Sequence, residues 1–320
     1  MRLLDQFKKP EYILRPRQIL IRVRRTWGRA NRFEQVALPW GSKIKIEPAE
    51  LVGRSIWTVG VGDLPVSEAL WRLTDRGETA IDIGANIGYM TGLLAFRVGR
   101  QGRVLAFEPH PRLVNVLTEN VDAWRCEIGA TIEVHPLALS DHEGEALLGI
   151  PDDFDQNHGL AYLVSAGDDG PRTRIPVQIK CLDNIIKEKI GILKIDIEGH
   201  ELSALKGAAA LIDKCYLRDI VFEEHREYPT PVTRFLEERG YALFDLSASL
   251  LGPKISWIGK KPQHRRWETR SCLATLNPSR ALRRFERRGW HCLRSKSYHL
   301  RVDAKQSTGD NSAVDPAGED

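Results

Sequence analysis

Charged residues recur at every second position in "LKIDIEGHE" (193–201), where Lys194, Asp196 and Glu198 alternate with Leu193, Ile195 and Ile197. In a strand this spacing puts the charged residues on one face and the aliphatic residues on the other. Lys, Asp and Glu are almost never fully buried unless paired, so a core strand carrying three of them points to chemistry at its end. A second acidic group follows in "VFEEH" (221–225), with Glu223 and Glu224 ahead of His225. A carboxylate within hydrogen-bond reach of a hydroxyl can take its proton as a new bond to the oxygen forms. Asp196, Glu198 and Glu224 are therefore the candidate catalytic residues. His200 ranks below Asp196, because at a helix start it can serve as a local cap. Carboxylates on two neighbouring strand ends could also hold Mg²⁺, a hard cation. Base chemistry without a metal ranks ahead of that reading, and no metal ligands are assigned. The competing structural account is that Lys194 and Asp196 simply neutralise each other.

A second constellation lies upstream. "IDIGANIGYMTG" sits at a strand-to-helix junction, with Gly84 and Gly88 bracketing Ala85, Asn86 and Ile87. Glycine there permits a left-handed backbone and close approach of a ligand to the positive end of a helix. The next strand ends in "FEP", which places Glu108 and Pro109 where a ribose diol is gripped. A nicotinamide dinucleotide loop would have glycine where Asn86 stands. The spacing D-x-G-x-N-x-G instead resembles that of class I S-adenosylmethionine-dependent methyltransferases.

The elements that would position these residues alternate in type. "EQVALPWGSKIKIEP" reads as a hairpin and "VSEALWRLTD" as a helix. From "TAIDIG" onward short apolar strands alternate with helices at "YMTGLLAFRV", "RLVNVLTENVDAW", "ELSALKGAAALI" and "TPVTRFLEERG". Such alternation predicts an α/β fold: a doubly wound, mainly parallel Rossmann-like sheet with an N-terminal β-hairpin. Residues 145–180 read as β excursions around the polar loop "PDDFDQNHG". "SRALRRFERRGWHCLRS" repeats the layout of "PVTRFLEERGYALFDL" and predicts a final helix, glycine and strand in a basic C-terminal α/β extension.

"VALPWG", "IDIGANIGYMT", "FEPHP", "LALSDHEG", "CLDNII", "LKIDIEGHELSALKGA" and "VFEEH" occur in this order. Together they resemble the FkbM family of methyltransferases over roughly residues 35–250. The resemblance implies S-adenosyl-L-methionine as cofactor, with Asp82, Gly84, Ala85, Asn86 and Gly88 around its methionine part. It further implies Glu108 and Pro109 at the ribose and Leu139 and Ser140 of "LALSD" by the adenine. It also implies O-methylation of a hydroxyl on a sugar, glycan or natural product.

Composition limits the alternatives. Five cysteines without a C-x-x-C pair argue against a disulfide framework or a zinc site. No apolar run approaches membrane-span length, and the charged N-terminus does not read as a signal peptide, so a cytoplasmic protein is expected. The net charge of +4 is uneven: residues 1–32 carry ten Lys/Arg against two acids, and 260–301 carry thirteen against two. The chain thus divides into a basic N-terminal extension (1–34), a methyltransferase domain (35–259), a basic extension (260–301) and a disordered acidic tail (302–320). The basic flanks keep an RNA or protein methyltransferase in view. However, they lack aromatics at single-strand stacking spacing, and "DIEGHE" has none of the Pro-Pro motif of amino-methylating enzymes. Nucleic acid is ranked behind a small-molecule or glycan partner, and a non-catalytic cofactor-binding module ranks last. Nothing in the sequence sets the oligomeric state.

Overall fold

The structure is a computed structural model that describes residues 32–164, 170–259 and 270–294. The basic N-terminal stretch up to residue 31 and the acidic tail at 302–320 lie outside the described residues. Strands β1 (Glu34–Ala37) and β2 (Lys43–Ile46) form the expected antiparallel hairpin. Helix α1 (Leu51–Val59) and helix α2 (Leu64–Leu73) lead into β3 (Thr79–Ile83), α3 (Tyr89–Val98), β4 (Arg103–Phe107), α4 (Pro111–Ile128) and β5 (Thr131–His135). An excursion of β6 (Ala138–Leu139), β7 (Gly144–Ile150), β8 (Tyr162–Leu163) and β9 (Thr173–Lys180) makes a separate four-stranded sheet. The chain continues through α5 (Leu182–Ile185), β10 (Ile190–Ile195), α6 (Glu201–Lys206), α7 (Ala209–Asp213), β11 (Leu217–Glu224), α8 (Pro231–Glu237), β12 (Ala242–Ser249), β13 (Gly252–Trp257), β14 (Arg270–Thr275) and α9 (Pro278–Glu286).

The main sheet has the order β13-β12-β14-β11-β10-β3-β4-β5. Six of its strands run parallel, while β13 and β14 run against them. Its two faces alternate along the central part of the strands. Ala80, Val104, Ile192, Val221 and Leu273 pack toward α2, α3 and α4, whereas Ile81, Leu105, Leu193, Ile220 and Phe222 pack toward α6 and α8. Burial of both faces is the hydrophobic basis of a doubly wound sheet.

Local chemistry sets the element ends. The Asp63 carboxylate caps α2 by accepting from Val66 N at 2.9 Å, with Pro65 in the first turn. Helix α4 opens with Pro111 and ends on left-handed Gly129. The hairpin is anchored to α4 by Trp124, whose indole N–H donates to Lys43 O at 2.6 Å. Asn120 adds to this by pairing with the Lys45 backbone and donating to Ile87 O at 2.8 Å, which joins the hairpin to the glycine turn.

Three expectations change. The run 201–212 is two short helices that part at Gly207 and Ala208; Gly207 packs so close to Ser140 that a Cβ there would sit 1.9 Å from its carbonyl oxygen. The final "WHCLRS" forms a 3₁₀ turn at His291–Leu293, with no strand among the described residues. The described part of the basic section, 270–294, does not stand beside the domain: β14 lies between β11 and β12, and a boundary at 259 would cut one sheet in two.

Three cations of that section are drawn inward, while Arg283, Arg287 and Arg288 are exposed. Arg280 and Arg284 both pair with Asp75, Arg280 also pairs with Asp219, and Arg270 pairs with Asp245. Arg72, buried beside Glu68 at 2.6 Å, donates to the Arg284 and Gly289 carbonyls. Among the described residues, no helix is long and apolar enough to cross a membrane.

Candidate active site

In an open α/β sheet, ligands bind beyond the carboxyl ends of the strands. A cleft of about 390 Å³ opens there, above β3, β4, β10 and β11. Strand β3 runs into the glycine turn, whose backbone N–H groups at Gly84 and Ala85 both donate to Phe107 O at 3.0 Å. Gly84 has φ +74°, and a Cβ there would lie 1.9 Å from the Asp196 carbonyl oxygen. The glycine is therefore required by close approach of a neighbouring strand end as well as by its backbone conformation. Gly88 caps α3 in the left-handed region without any side-chain hydrogen bond, so the helix start is left to the backbone.

Glu108 stands at the end of β4, 6 % exposed. Its Oε2 accepts from Asn86 N and its Oε1 from His110 N, each at 2.9 Å. Each oxygen keeps a lone pair for a further donor. Burial pushes this carboxyl up to about 7, against the pull of those two N–H groups and of Lys194. Pro109 and Leu139 line the cleft, with Phe107 and Leu137 completing an apolar slot beside Glu108. Ser140 sits behind that slot, fully buried, with its hydroxyl 3.0 Å from His200 Nε2. Asp82 lies beneath the glycine turn, where its Oδ2 accepts from Thr91 at 2.6 Å. An apolar slot, a diol-ready carboxylate and an uncapped helix start suit an adenosyl cofactor, so these residues fit the group that the glycine motif implies.

The other end of the cleft is acidic. Strand β10 stops at Ile195, so the alternation of "LKIDIEGHE" breaks there: Glu198 (φ +51°) and Gly199 (φ +95°) form a turn. Asp196 and Glu198 still reach the cleft, where Glu223 from β11 and Asp63 from the start of α2 join them. Burial pushes Glu223 up to about 8, with Asp196 and Asp63 adding to the rise and Lys194 opposing it. Burial also raises Glu198, helped by Asp196, while His225, with Nε2 3.8 Å from Glu198 Oε2, pulls the other way. Among the described residues, no group of three or more His, Cys, Asp or Glu is arranged to hold a metal.

Glu224 is not brought to the cleft. In β11 it shares parity with Ile220 and Phe222, the face that packs on α6 and α8, and its Oε1 accepts from Arg226 N at 3.0 Å. Glu223 shares parity with Val221 and faces the site. Sequence alternation puts Glu224 on the face of Phe222 and Glu223 on that of Val221, but it does not say which face meets the cleft.

The polar loop ahead of β8 closes one side of the cleft with Asn157, His158 and Gly159. Glu50 holds it there. Its carboxylate caps α1 through Val52 N and Gly53 N and also accepts from His158 N at 3.3 Å. Asp63, Asn120 and Glu50 are supporting residues that the sequence reading missed. The signal available for Asp63 was its place just ahead of a proline-led helix.

A mainly parallel sheet with an antiparallel strand beside β11, a glycine turn after its first central strand and an acidic residue ending the next defines an S-adenosylmethionine-dependent methyltransferase. Residues 82–243 match the Methyltransferase FkbM domain, and the chain belongs to that family. It is 26 % identical to methyltransferase sdnD of Sordaria araneosa over 215 residues, covering 57 % of this chain and 81 % of the relative. It is 28 % identical to the hexuronic acid methyltransferase AglP of Haloferax volcanii over 196 residues, covering 53 % and 73 %. Among solved structures, methyltransferase FkbM of Methylobacillus flagellatus KT aligns with a TM-score of 0.42 at 21 % identity, covering 62 % of this chain and 43 % of that one.

Proposed function

We propose that the protein transfers a methyl group from S-adenosylmethionine to a hydroxyl oxygen of a small-molecule or glycan acceptor. One observation carries this reading: Glu223, Asp196 and Glu198 converge on the end of the cleft opposite the apolar slot, and burial holds Glu223 at about 8. A carboxylate whose pKa lies near working pH is suited to take a proton from a poorly acidic hydroxyl. The bound cofactor supplies a methyl group already activated on a sulfonium. The chain's own tasks are then to bind, to align and to accept a proton.

Glu108 receives the ribose hydroxyls, and Phe107, Leu137 and Leu139 hold the adenine. Asp196 and Glu223 orient the acceptor hydroxyl and take its proton, with Glu198 and His225 beside them. Asn157, His158 and Gly159 close the cleft over the acceptor, which keeps water from competing. The relative whose name specifies a hexuronic acid supports a sugar as acceptor. Inward pairing of Arg270, Arg280 and Arg284 with acidic residues supports a structural use of the basic C-terminal section over an anionic polymer as substrate. The test is transfer of a labelled methyl group to a panel of monosaccharides, uronic acids and hydroxylated natural products, followed by product mapping. Methylation at oxygen supports the reading, and exclusive methylation at nitrogen in RNA or protein overturns it.

A further inference from the structure

Among the described residues, Lys194 is the only lysine or arginine lining the cleft, and it is almost completely buried. In the sheet it is flanked by Asp82 of β3 and Val221 of β11. Its Nζ donates to the Gly84 carbonyl at 2.9 Å and lies 3.4 Å from both the Ile83 carbonyl and Asp82 Oδ1. The same nitrogen is 3.5 Å from Asp196 Oδ2. Two further backbone relations join these parts: Asp196 N donates to Ile83 O at 3.2 Å, and the Asp196 carbonyl fills the space a Gly84 side chain would need. One ammonium thus touches the glycine turn, the carboxylate beneath it and the carboxylate at the acceptor end.

A cation used only to neutralise Asp82 would need no contact beyond β3. We propose that Lys194 is a positioning residue that ties the cofactor turn to the acceptor-side carboxylates, so that one buried charge sets both. The inference rests on the reading above, in which Asp196 and Glu223 serve the acceptor. Its chemistry is electrostatic sharing. The groups facing Lys194 are Asp82 from β3, Glu108 from the end of β4, Asp196 after β10 and Glu223 from β11. Glu223 is faced in turn by Asp196, Asp63, Glu198 and His225. Burial pulls an ammonium toward neutrality, but Asp82, Asp196 and Glu223 more than offset it and keep Lys194 above the ordinary lysine value. The Gly84 carbonyl accepts a hydrogen bond from it, which fixes the turn on which the cofactor would rest.

The experiment uses the full chain and two readouts that need no acceptor. The first is the titration midpoint of the Glu223 carboxyl, followed by carbon-13 NMR and assigned with Glu223→Gln. The second is affinity for S-adenosylhomocysteine by calorimetry. Lys194→Met is expected to move the Glu223 midpoint upward from about 8 by about one pH unit, as loss of a nearby opposite charge does. It is also expected to weaken S-adenosylhomocysteine at least about tenfold, the scale of a lost hydrogen bond to a charged group, with Lys194→Arg recovering part of both. Lys194→Met/Asp82→Asn, which removes the buried pair together, carries the same two readouts if the single variant does not fold. A purely structural lysine would lower thermal stability while leaving the midpoint and the affinity of the folded variant at wild-type values. If either readout stays at its wild-type value, the inference is overturned. Neither readout depends on which acceptor is methylated, so failure here leaves the reading of O-methyl transfer standing.

Discussion

Glu108 accepts the backbone N–H of Asn86 at 2.9 Å, so the residue at the end of one strand holds the glycine turn that follows its neighbour. Glu108 and the turn are therefore a single hydrogen-bonded unit. Glu108→Ala should weaken S-adenosylmethionine binding by about 1–3 kcal/mol, the range for a hydrogen bond involving a charged group. Calorimetry at constant pH checks this, and Glu108→Gln, which keeps one acceptor, should lose less.

Gly84→Ala should lower cofactor affinity and stability together. The left-handed backbone alone strains an alanine by about 1–3 kcal/mol. The collision with the Asp196 carbonyl, at 1.9 Å, must also push two strand ends apart. Denaturant unfolding and calorimetry on the same sample would show both losses. A variant with native stability that merely fails to bind would contradict the packing described.

Glu223→Gln and Asp196→Asn should separate from Glu224→Gln in turnover. Loss of a general base costs about 10²–10⁴-fold in rate, so the first two should fall in that range through kcat with little change in cofactor affinity. Glu224 points into the opposite layer, and its glutamine variant should turn over within about twofold of wild type, below the scale of any lost base. EDTA should leave all of these rates unchanged.

Stability should fall as pH rises from 6.5 to 8. A glutamic acid held at about 8 by burial keeps its proton in the folded state while the unfolded chain has already released it. The unfolded state then binds fewer protons across this window, which makes the slope negative. Glu108, held at about 7, adds to the lower part of the window. His110 and His291, held low at about 4 and about 3 by burial, act in the opposite sense but only below the ordinary histidine value. Melting temperatures across pH 6.5–8 should therefore decline in the wild type and flatten in Glu223→Gln.

Arg72→Met should destabilise the fold by about 3–5 kcal/mol, because it leaves the fully buried Glu68 without its cation. It also frees the carbonyls of Arg284 and Gly289, which hold the C-terminal section against α2. Chemical denaturation measures the loss.

Much of the site could be read from the sequence because its motifs are local. The turn "GANIG" depends on the backbone of five consecutive residues, and Glu108 follows it by one helix and one strand. "LKIDIEGHE" announced an unusual strand, though not where that strand ends: a positive φ at Glu198 follows from the turn into α6, not from any side chain. The choice between Glu223 and Glu224 depended on which layer each face of β11 meets, a tertiary fact. Helix α1 escaped because its cap is Glu50, outside the usual Ser, Thr, Asp and Asn, and because Gly53 interrupts its helical composition. A Cβ at Gly53 would meet Glu47 O at 2.2 Å, so contact with the chain just upstream, and not helix propensity, chose the glycine. The place of β14 was hidden for a different reason. Only Cys272, Leu273 and Ala274 of "RSCLAT" are apolar, so the sequence reading found no strand there, and nothing in it says between which neighbours one would lie.

The position of β14 has a consequence for how the chain is made. Among the described residues, every one that lines the cleft lies before residue 225, yet β11 gains its second neighbour only from residues 270–275. A nascent chain emerging from the ribosome would carry a complete binding sequence while one edge of β11, rich in Ile, Val and Phe, still waits for pairing. Such an edge is a template for association with other chains. The closing strand also comes from far along the sequence, which slows its capture. Arg280 and Arg284, which follow this strand and pair with Asp75 and Asp219, fasten the end of the chain that closes the edge to the segment before β3 and to β11 itself.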